Sequence, residues 1–155
     1  MLNHTPEQIL KDVFGYDRFR PGQTDVVDAL LADQHTLTVM PTGSGKSLCF
    51  QIPALLKGGL TIVVSPLVAL MEDQVAALKL AGVAADTINS SRERGDNVTA
   101  WKRAADGETR LLYLAPERLM TGRMLEALSQ LPVKLIAIDE AHCLSRWGPS
   151  FRPDY

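Results

Sequence analysis

Cysteine occurs only at Cys49 and Cys143, far apart and without the spacing that a metal site uses. A disulfide scaffold and a zinc site are therefore excluded, and both thiols read as packed, apolar groups. Neither sign of charge dominates: the net charge is −2, so composition carries no signature of a polyanionic partner, and any DNA or RNA path must be local. No apolar run approaches the roughly 20 residues of a membrane-spanning helix. The start of the sequence, Met1 to Glu7, has neither the basic nor the apolar region of a secretory signal, so a cytoplasmic location is expected. Internal repeats and low-complexity tracts are missing too. What is left, in 155 residues of which 46% are hydrophobic and 22% charged, is the profile of one ordinary globular domain with a proper core.

The stretch Met40-Pro41-Thr42-Gly43-Ser44-Gly45-Lys46-Ser47 follows an apolar run at 36–39 that reads as a buried strand. It leads into residues 48–52, which can start a helix. Strand, glycine loop and helix together make a phosphate-binding loop. Gly43 and Gly45 let the backbone approach an anion, and successive N–H groups at the helix start point at it. Lys46 would reach the β- and γ-phosphates, and the Ser47 hydroxyl would ligate Mg²⁺. The strict pattern has glycine where this chain has Met40.

Near the other end, the apolar run 133–138 passes directly into Asp139-Glu140-Ala141-His142. A carboxylate at the C-terminal tip of a parallel strand lies in the crevice where open α/β sheets bind ligands. Asp139 can hold Mg²⁺ there, and Glu140 can polarise an attacking water. Alone, the pair could equally be the favourable acidic start of a helix; with Lys46 and Ser47 it reads as the second half of a nucleotide site.

Between these motifs, strand-like runs at 36–39, 60–64, 83–88, 110–115 and 133–138 alternate with helical patterns. The pattern predicts an α/β fold, a parallel sheet with helices on both faces and the strand-end loops on one edge. A first helix is expected from Thr5 as cap and Pro6 as first residue, and a second through Val26, Val27, Leu30 and Leu31. Further helices are expected through Leu70, Val75, Leu78 and Leu80, across the polar stretch 92–106, and from Pro116 onward. Between the first two helices, Tyr16 and Arg20 could sandwich a flat base while the Gln23 amide serves adenine's N6 and N7. Equally, Tyr16 and Phe19 could simply pin that loop to the core.

Ser65, Asn89, Ser90, Ser91 and Arg118 follow strands and suit a sugar-phosphate backbone, although each alone is also an ordinary cap or turn residue. The final residues interleave Arg146 and Arg152 with Trp147, Phe151 and Tyr155 in a segment too rich in glycine and proline for a regular helix. Such a loop offers stacking faces for single-stranded bases and charge for phosphates, or else a hydrophobic flap over the core.

Taken in order, these segments resemble the start of a RecQ-type DNA helicase of helicase superfamily two. The resemblance runs from Gly15 to Tyr155. It rests on Phe19-Arg20-Pro21-Gly22-Gln23, the phosphate loop with its Met40, Ser65-Pro66-Leu67 through Asp73-Gln74, Ala115-Pro116-Glu117-Arg118-Leu119, Asp139-Glu140-Ala141-His142, and Trp147-Gly148 through Phe151-Arg152-Pro153. It implies part of a first RecA-like ATP-binding lobe over 1–155. Residues 5–33 would hold the adenine-recognition motif, 34–142 the core from phosphate loop to acidic motif, and 143–155 an aromatic-rich loop. It further implies that Tyr16, Arg20 and Gln23 hold adenine, that Thr42, Gly43, Ser44, Gly45, Lys46 and Ser47 hold phosphates, and that Ser47 and Asp139 bind Mg²⁺. Lys46, Asp139, Glu140 and His142 would form the catalytic set, His142 linking the nucleotide to DNA. Ser65, Asn89, Arg118, Arg146, Trp147, Phe151 and Arg152 would contact DNA. Glu72 and Arg146 depart from the family pattern, which favours a basic residue and glutamine at those positions.

The activity implied is that of an ATP-dependent 3′-to-5′ helicase acting on single-stranded and forked DNA in recombination and repair. The second lobe, its arginine finger and a zinc-binding region would lie in a longer protein, so the segment alone is expected not to unwind DNA. A superfamily-two RNA helicase, another phosphate-loop enzyme, or a nucleotide-binding module without turnover are the alternatives. Protein partners and oligomeric state are not implied.

Overall fold

The computed structural model describes residues 5–32, 47–119 and 121–138. Among the expectations above, the strand at 36–39, Thr42 to Lys46, Asp139, Glu140, His142, Arg146, Trp147, Phe151 and Arg152 lie outside them. The chain divides into two compact units, one ending at Gly58 and one beginning at Gly59.

The first unit is helical. Helix α1, Pro6–Asp12, starts where the sequence predicts, because Thr5 and Gln8 satisfy each other's orphan backbone donors. The Gln8 N–H donates to Thr5 Oγ1 at 3.2 Å and the Thr5 N–H to Gln8 Oε1 at 2.8 Å. Helix α2, Gln23–Leu31, begins after Gly22, whose φ of 87° is one that only glycine adopts without strain. Helix α3, Leu48–Lys57, is buried continuously from Cys49 to Leu55 and packs against both. Lys57 at its end donates from Nζ to the Leu30 carbonyl at 2.9 Å, satisfying an orphan acceptor at the end of α2. Cys49 is buried and its thiol is pushed up by that burial, partly offset by a backbone hydrogen bond, which makes it a packed thiol.

The second unit is a parallel α/β sheet. Its strands are β1 Leu60–Val64, β2 Ala85–Ile88, β3 Leu111–Leu114 and β4 Val133–Ile138, in the spatial order β2-β3-β1-β4. All pairings are parallel, so each connection has to cross over, and helices α4 Val68–Leu80, α5 Arg94–Ala105, α6 Pro116–Leu119 and α7 Gly122–Leu128 supply the crossovers. The chain moves one way along the sheet from β1 to β2, then turns back through β3 to β4. With crossovers of one hand, that reversal puts α4 on one face and α5 and α7 on the other.

The side chains agree. Leu60, Ile62, Val64, Ile88, Leu112 and Leu114 form one cluster with Ala100 and Ala104 of α5 and Leu128 of α7. Tyr113, which alternates to the opposite face, is fully buried and hydrogen-bonded to Gln74 of α4 at 2.7 Å. Each buried aliphatic here contributes about 1.5–3 kcal/mol relative to exposure.

Four details differ from the sequence expectation. Strand β2 starts at Ala85, not at 83. Leu80 is 91% exposed, because Met71, Val75 and Leu78 already define the buried stripe of α4. Trp101 of the polar helix α5 packs against the core. The expected single helix after β3 is two, because the Thr121 hydroxyl accepts from the Met124 N–H at 3.2 Å and caps a new start.

Thr61 in β1 is fully buried and, among the described residues, its Oγ1 has no hydrogen-bond partner. Thr61→Val removes that polar atom while keeping the shape, and is expected to add about 1 kcal/mol of stability. Amide exchange along β1 should slow about fivefold; faster exchange would show that the hydroxyl does find a partner.

At the N-terminal edge of the sheet, Asp86 is 3% exposed and takes a two-pronged bond from Arg103, Nε to Oδ2 at 2.9 Å and Nη2 to Oδ1 at 2.7 Å. Lys79 of α4 lies 3.7 Å away and the Thr109 hydroxyl donates at 3.4 Å. Burial pushes the Asp86 carboxyl up, but Arg103, Lys79 and Thr109 together outweigh it and hold it below its usual range.

Candidate functional site

The register fixes where the strands end. Ile88 pairs with Leu114, Leu114 with Val64, and Val64 with Ile138, so the four strands finish level with one another. The loops that follow therefore share the C-terminal edge of the sheet, which is where open parallel sheets place ligands. Ser65 follows β1, Asn89 follows β2, Arg118 lies in the short helix after β3, and the sequence continues from β4 into Asp139.

Ser65 is 1% exposed. Its N–H extends the β1 ladder to the Leu114 carbonyl at 3.1 Å, and its Oγ accepts from the Leu67 N–H at 3.3 Å. The hydroxyl thus shapes the turn that presents Leu67, which is 45% exposed. Arg118 is half-buried, and its carbonyl accepts from the Thr121 hydroxyl at 3.0 Å.

Asn89 is fully buried. Its Nδ2 donates to Thr87 Oγ1 at 3.1 Å and to Glu72 Oε1 at 3.3 Å. Its Oδ1 accepts from the Ser91 hydroxyl at 2.6 Å and the Ser91 N–H at 3.0 Å. Asn97 of α5 clamps the same residue's backbone, Oδ1 taking the Asn89 N–H at 3.3 Å and Nδ2 giving to the Asn89 carbonyl at 2.9 Å. With both ends of its amide engaged, Asn89 holds the turn, and Ser90, Ser91 and Arg92 are the residues that the turn offers outward. Ser90 and Ser91 are exposed; Arg92 is half-buried, its Nη1 tied to the Thr87 carbonyl at 2.6 Å.

Sequence reasoning marked Glu72 only as a departure from the family pattern, and did not find Asn97 and Arg92 as parts of this edge. Asn97 sits in a polar helical stretch with no apolar periodicity to mark its buried face. Nothing in spacing tells a bracing asparagine from a surface one.

In the helical unit, Gln23 is 1% exposed and its Oε1 accepts from the Arg20 N–H at 2.7 Å, while the Gln23 N–H returns to the Arg20 carbonyl at 3.1 Å. The two residues are thereby locked into one turn, with Arg20 exposed and Tyr16 50% exposed beside the same segment. Ser47 precedes α3 with helical backbone angles, and its hydroxyl makes no cap bond. Its carbonyl accepts from the Gln51 N–H at 3.0 Å, so the backbone and not the side chain starts the helix. Among the described residues no group of three or more acidic, histidine or cysteine side chains could hold a metal, and no helix is long and apolar enough to cross a membrane.

The comparisons with known proteins point the same way. The family model for DEAD/DEAH box helicases matches residues 20–155. The chain is 49% identical over 151 residues to an ATP-dependent DNA helicase RecQ of Haemophilus influenzae, covering 97% of this chain and 24% of that protein. It is 45% identical over 153 residues to the RecQ helicase of Bacillus subtilis, covering 98% and 26% respectively. An ATP-dependent DNA helicase Q1 of Pongo abelii is 40% identical over 156 residues, covering 96% and 24%. The chain thus spans about a quarter of the length of these relatives. With the family model covering the phosphate loop, the level strand ends and the acidic motif alike, the chain belongs to the DEAD/DEAH box helicase family and is of the RecQ type.

Proposed function

We propose that this chain forms the nucleotide-binding and DNA-contacting part of the first motor lobe of an ATP-dependent 3′-to-5′ DNA helicase. Such an enzyme would act on single-stranded and forked DNA in recombination and repair, in the cytoplasm. The observation that carries the reading is the common edge: Ser65, the Asn89 turn and Arg118 follow level strand ends, beside the strand that continues into Asp139. A nucleic-acid track and a metal-binding carboxylate on one sheet edge are what coupling between them needs.

In this reading Tyr16, Arg20 and Gln23 hold the adenine, and Thr42, Gly43, Ser44, Gly45 and Lys46 cradle the phosphates. Ser47 and Asp139 are the Mg²⁺ ligands, and the ion supplies charge neutralisation at the phosphates. Glu140 accepts a proton from the attacking water, and His142 connects the nucleotide side to the DNA side. Arg146, Trp147, Phe151 and Arg152 sense single-stranded DNA through stacking and phosphate contacts.

The test is ATP hydrolysis by the full-length protein with single-stranded DNA, with RNA and with neither. Single-stranded DNA should stimulate turnover strongly and RNA should not; hydrolysis indifferent to DNA would refute the motor assignment. Trp147→Ala should lower the ratio of DNA-stimulated to DNA-free turnover about tenfold, since one base–aromatic stack contributes about 1–3 kcal/mol.

A further inference from the structure

The turn after β2 is held from two sides, by Asn97 of α5 and by Glu72 of α4. Asn97 is neutral, but Glu72 brings a negative charge to a turn that offers hydroxyls, an amide and an arginine. Other carboxylates stand near the same loops, but Asp73, Glu93 and Glu117 are exposed and free to turn toward water. Glu72 is half-buried and tied by Oε1 to Asn89 Nδ2 at 3.3 Å, so its charge is fixed in place. That bond also sets which way the Asn89 amide faces. With Nδ2 committed to Glu72 and Thr87, Oδ1 must point to Ser91, where it takes both the N–H and the hydroxyl.

We propose that Glu72 is a positioning residue that sets how strongly this edge grips a phosphate backbone, an inference that rests on the DNA-binding reading above. It acts in two opposed ways. Its acceptor oxygen orders the Asn89 turn and so presents Ser90, Ser91 and Arg92 ready-made. Its charge repels the incoming polyanion and keeps binding weak enough for the strand to be released and taken up again, which a translocating motor requires.

Substitutions separate the two effects. Glu72→Gln keeps an oxygen that can accept from Asn89 and removes the charge; Glu72→Ala removes both. The experiment is fluorescence anisotropy of the full-length protein with a labelled single-stranded oligothymidylate over a salt series. One unit charge about 4 Å from a phosphate in a water-like medium corresponds to about a fivefold change in affinity. Glu72→Gln is therefore expected to tighten Kd about fivefold at low salt, with the gain shrinking as salt rises. Glu72→Ala should bind about threefold or more weakly than Glu72→Gln at every salt concentration, because its turn is no longer ordered. A Kd for Glu72→Gln equal to wild type across the series overturns the charge effect, and equal affinities for the Gln and Ala variants overturn the positioning effect. Failure of the wild-type protein to bind the oligonucleotide at all would instead strike at the functional reading, and at this inference with it. A purely structural role would lower the melting temperature of both variants and leave the salt dependence of Kd as in wild type.

Discussion

Lys46→Ala in the full-length protein should cut DNA-stimulated ATP hydrolysis by about a hundredfold or more. Lys46 is the one side-chain cation of the phosphate loop, preceding Ser47 at the start of α3. In phosphoryl transfer there is little covalent work for the protein to do, and rate comes from positioning and from charge that meets the phosphate oxygens. Removing one such preorganised donor from a transition state costs about two to three orders of magnitude. In the function proposed above, alanine removes the charge that would meet the phosphates, and water would not replace it. The measurement is steady-state turnover with saturating single-stranded DNA, alongside fluorescent-nucleotide binding to separate lost affinity from lost chemistry. Turnover within tenfold of wild type would remove Lys46 from the catalytic set.

Asp86→Ala is expected to destabilise the second unit by about 2 to 3 kcal/mol. Asp86 has a side chain 4% exposed and joins β2 to α5 through Arg103, with Lys79 of α4 and Thr109 close by. Breaking a buried pair from one side costs about 3–5 kcal/mol when the remaining charge stays buried. Arg103, however, is 41% exposed and lines an open cavity of about 280 Å³, so its head can turn to water and the cost is lower. Amide exchange in β2 and α5 should accelerate about thirty- to a hundred-and-sixtyfold, and unchanged protection would show that the pair contributes nothing.

The same carboxylate gives a pH dependence of defined sign. Its folded-state value lies below the usual 3.8, so the unfolded chain binds its proton first as pH falls. The stabilisation is therefore fully present above the unfolded value and is lost as pH drops through the folded one. In Asp86→Asn this part of the acid limb should be missing.

Element positions were largely legible in the chain. Strand β1 at 60–64 is where its apolar run places it, because a strand buried on both faces must be continuously apolar; β4 at 133–138 also matches its apolar run, although its residues alternate between half-buried and exposed. The start of α1 was legible from Thr5 and Pro6, since capping is local chemistry; the answering bond from Gln8 is what the structure adds. What escaped was every interaction between polar residues distant in sequence. Asp86 sits in a short, weak strand pattern, and its partner Arg103 lies 17 residues on, in a helix that reads as solvated. Asn89 read either as a turn residue or as a group offered to a sugar-phosphate backbone; that it braces the turn through Glu72, Thr87 and Ser91 is what only the structure shows. Residue type announces hydrogen-bonding capacity, and only the fold decides who receives it.

Gly59 stands at the entrance of β1 with φ of 65°, and a Cβ there would come within 2.7 Å of both the Pro132 carbonyl oxygen and Lys134 Cγ. The Leu60 N–H bonds that same carbonyl at 3.0 Å, and the pairing of β1 with β4 shifts between Leu60 and Thr61. The missing methyl is thus a datum line for β4. The strand starts flush against bare backbone, and its full length is measured from that point to Ile138. One residue of slippage along a strand is about 3.3 Å and turns every side chain over. A metal-binding carboxylate tolerates far less displacement than that. The level at which β4 ends at Ile138, from which the sequence continues toward the metal ligand proposed above, is consequently set at the opposite edge of the sheet, by Gly59.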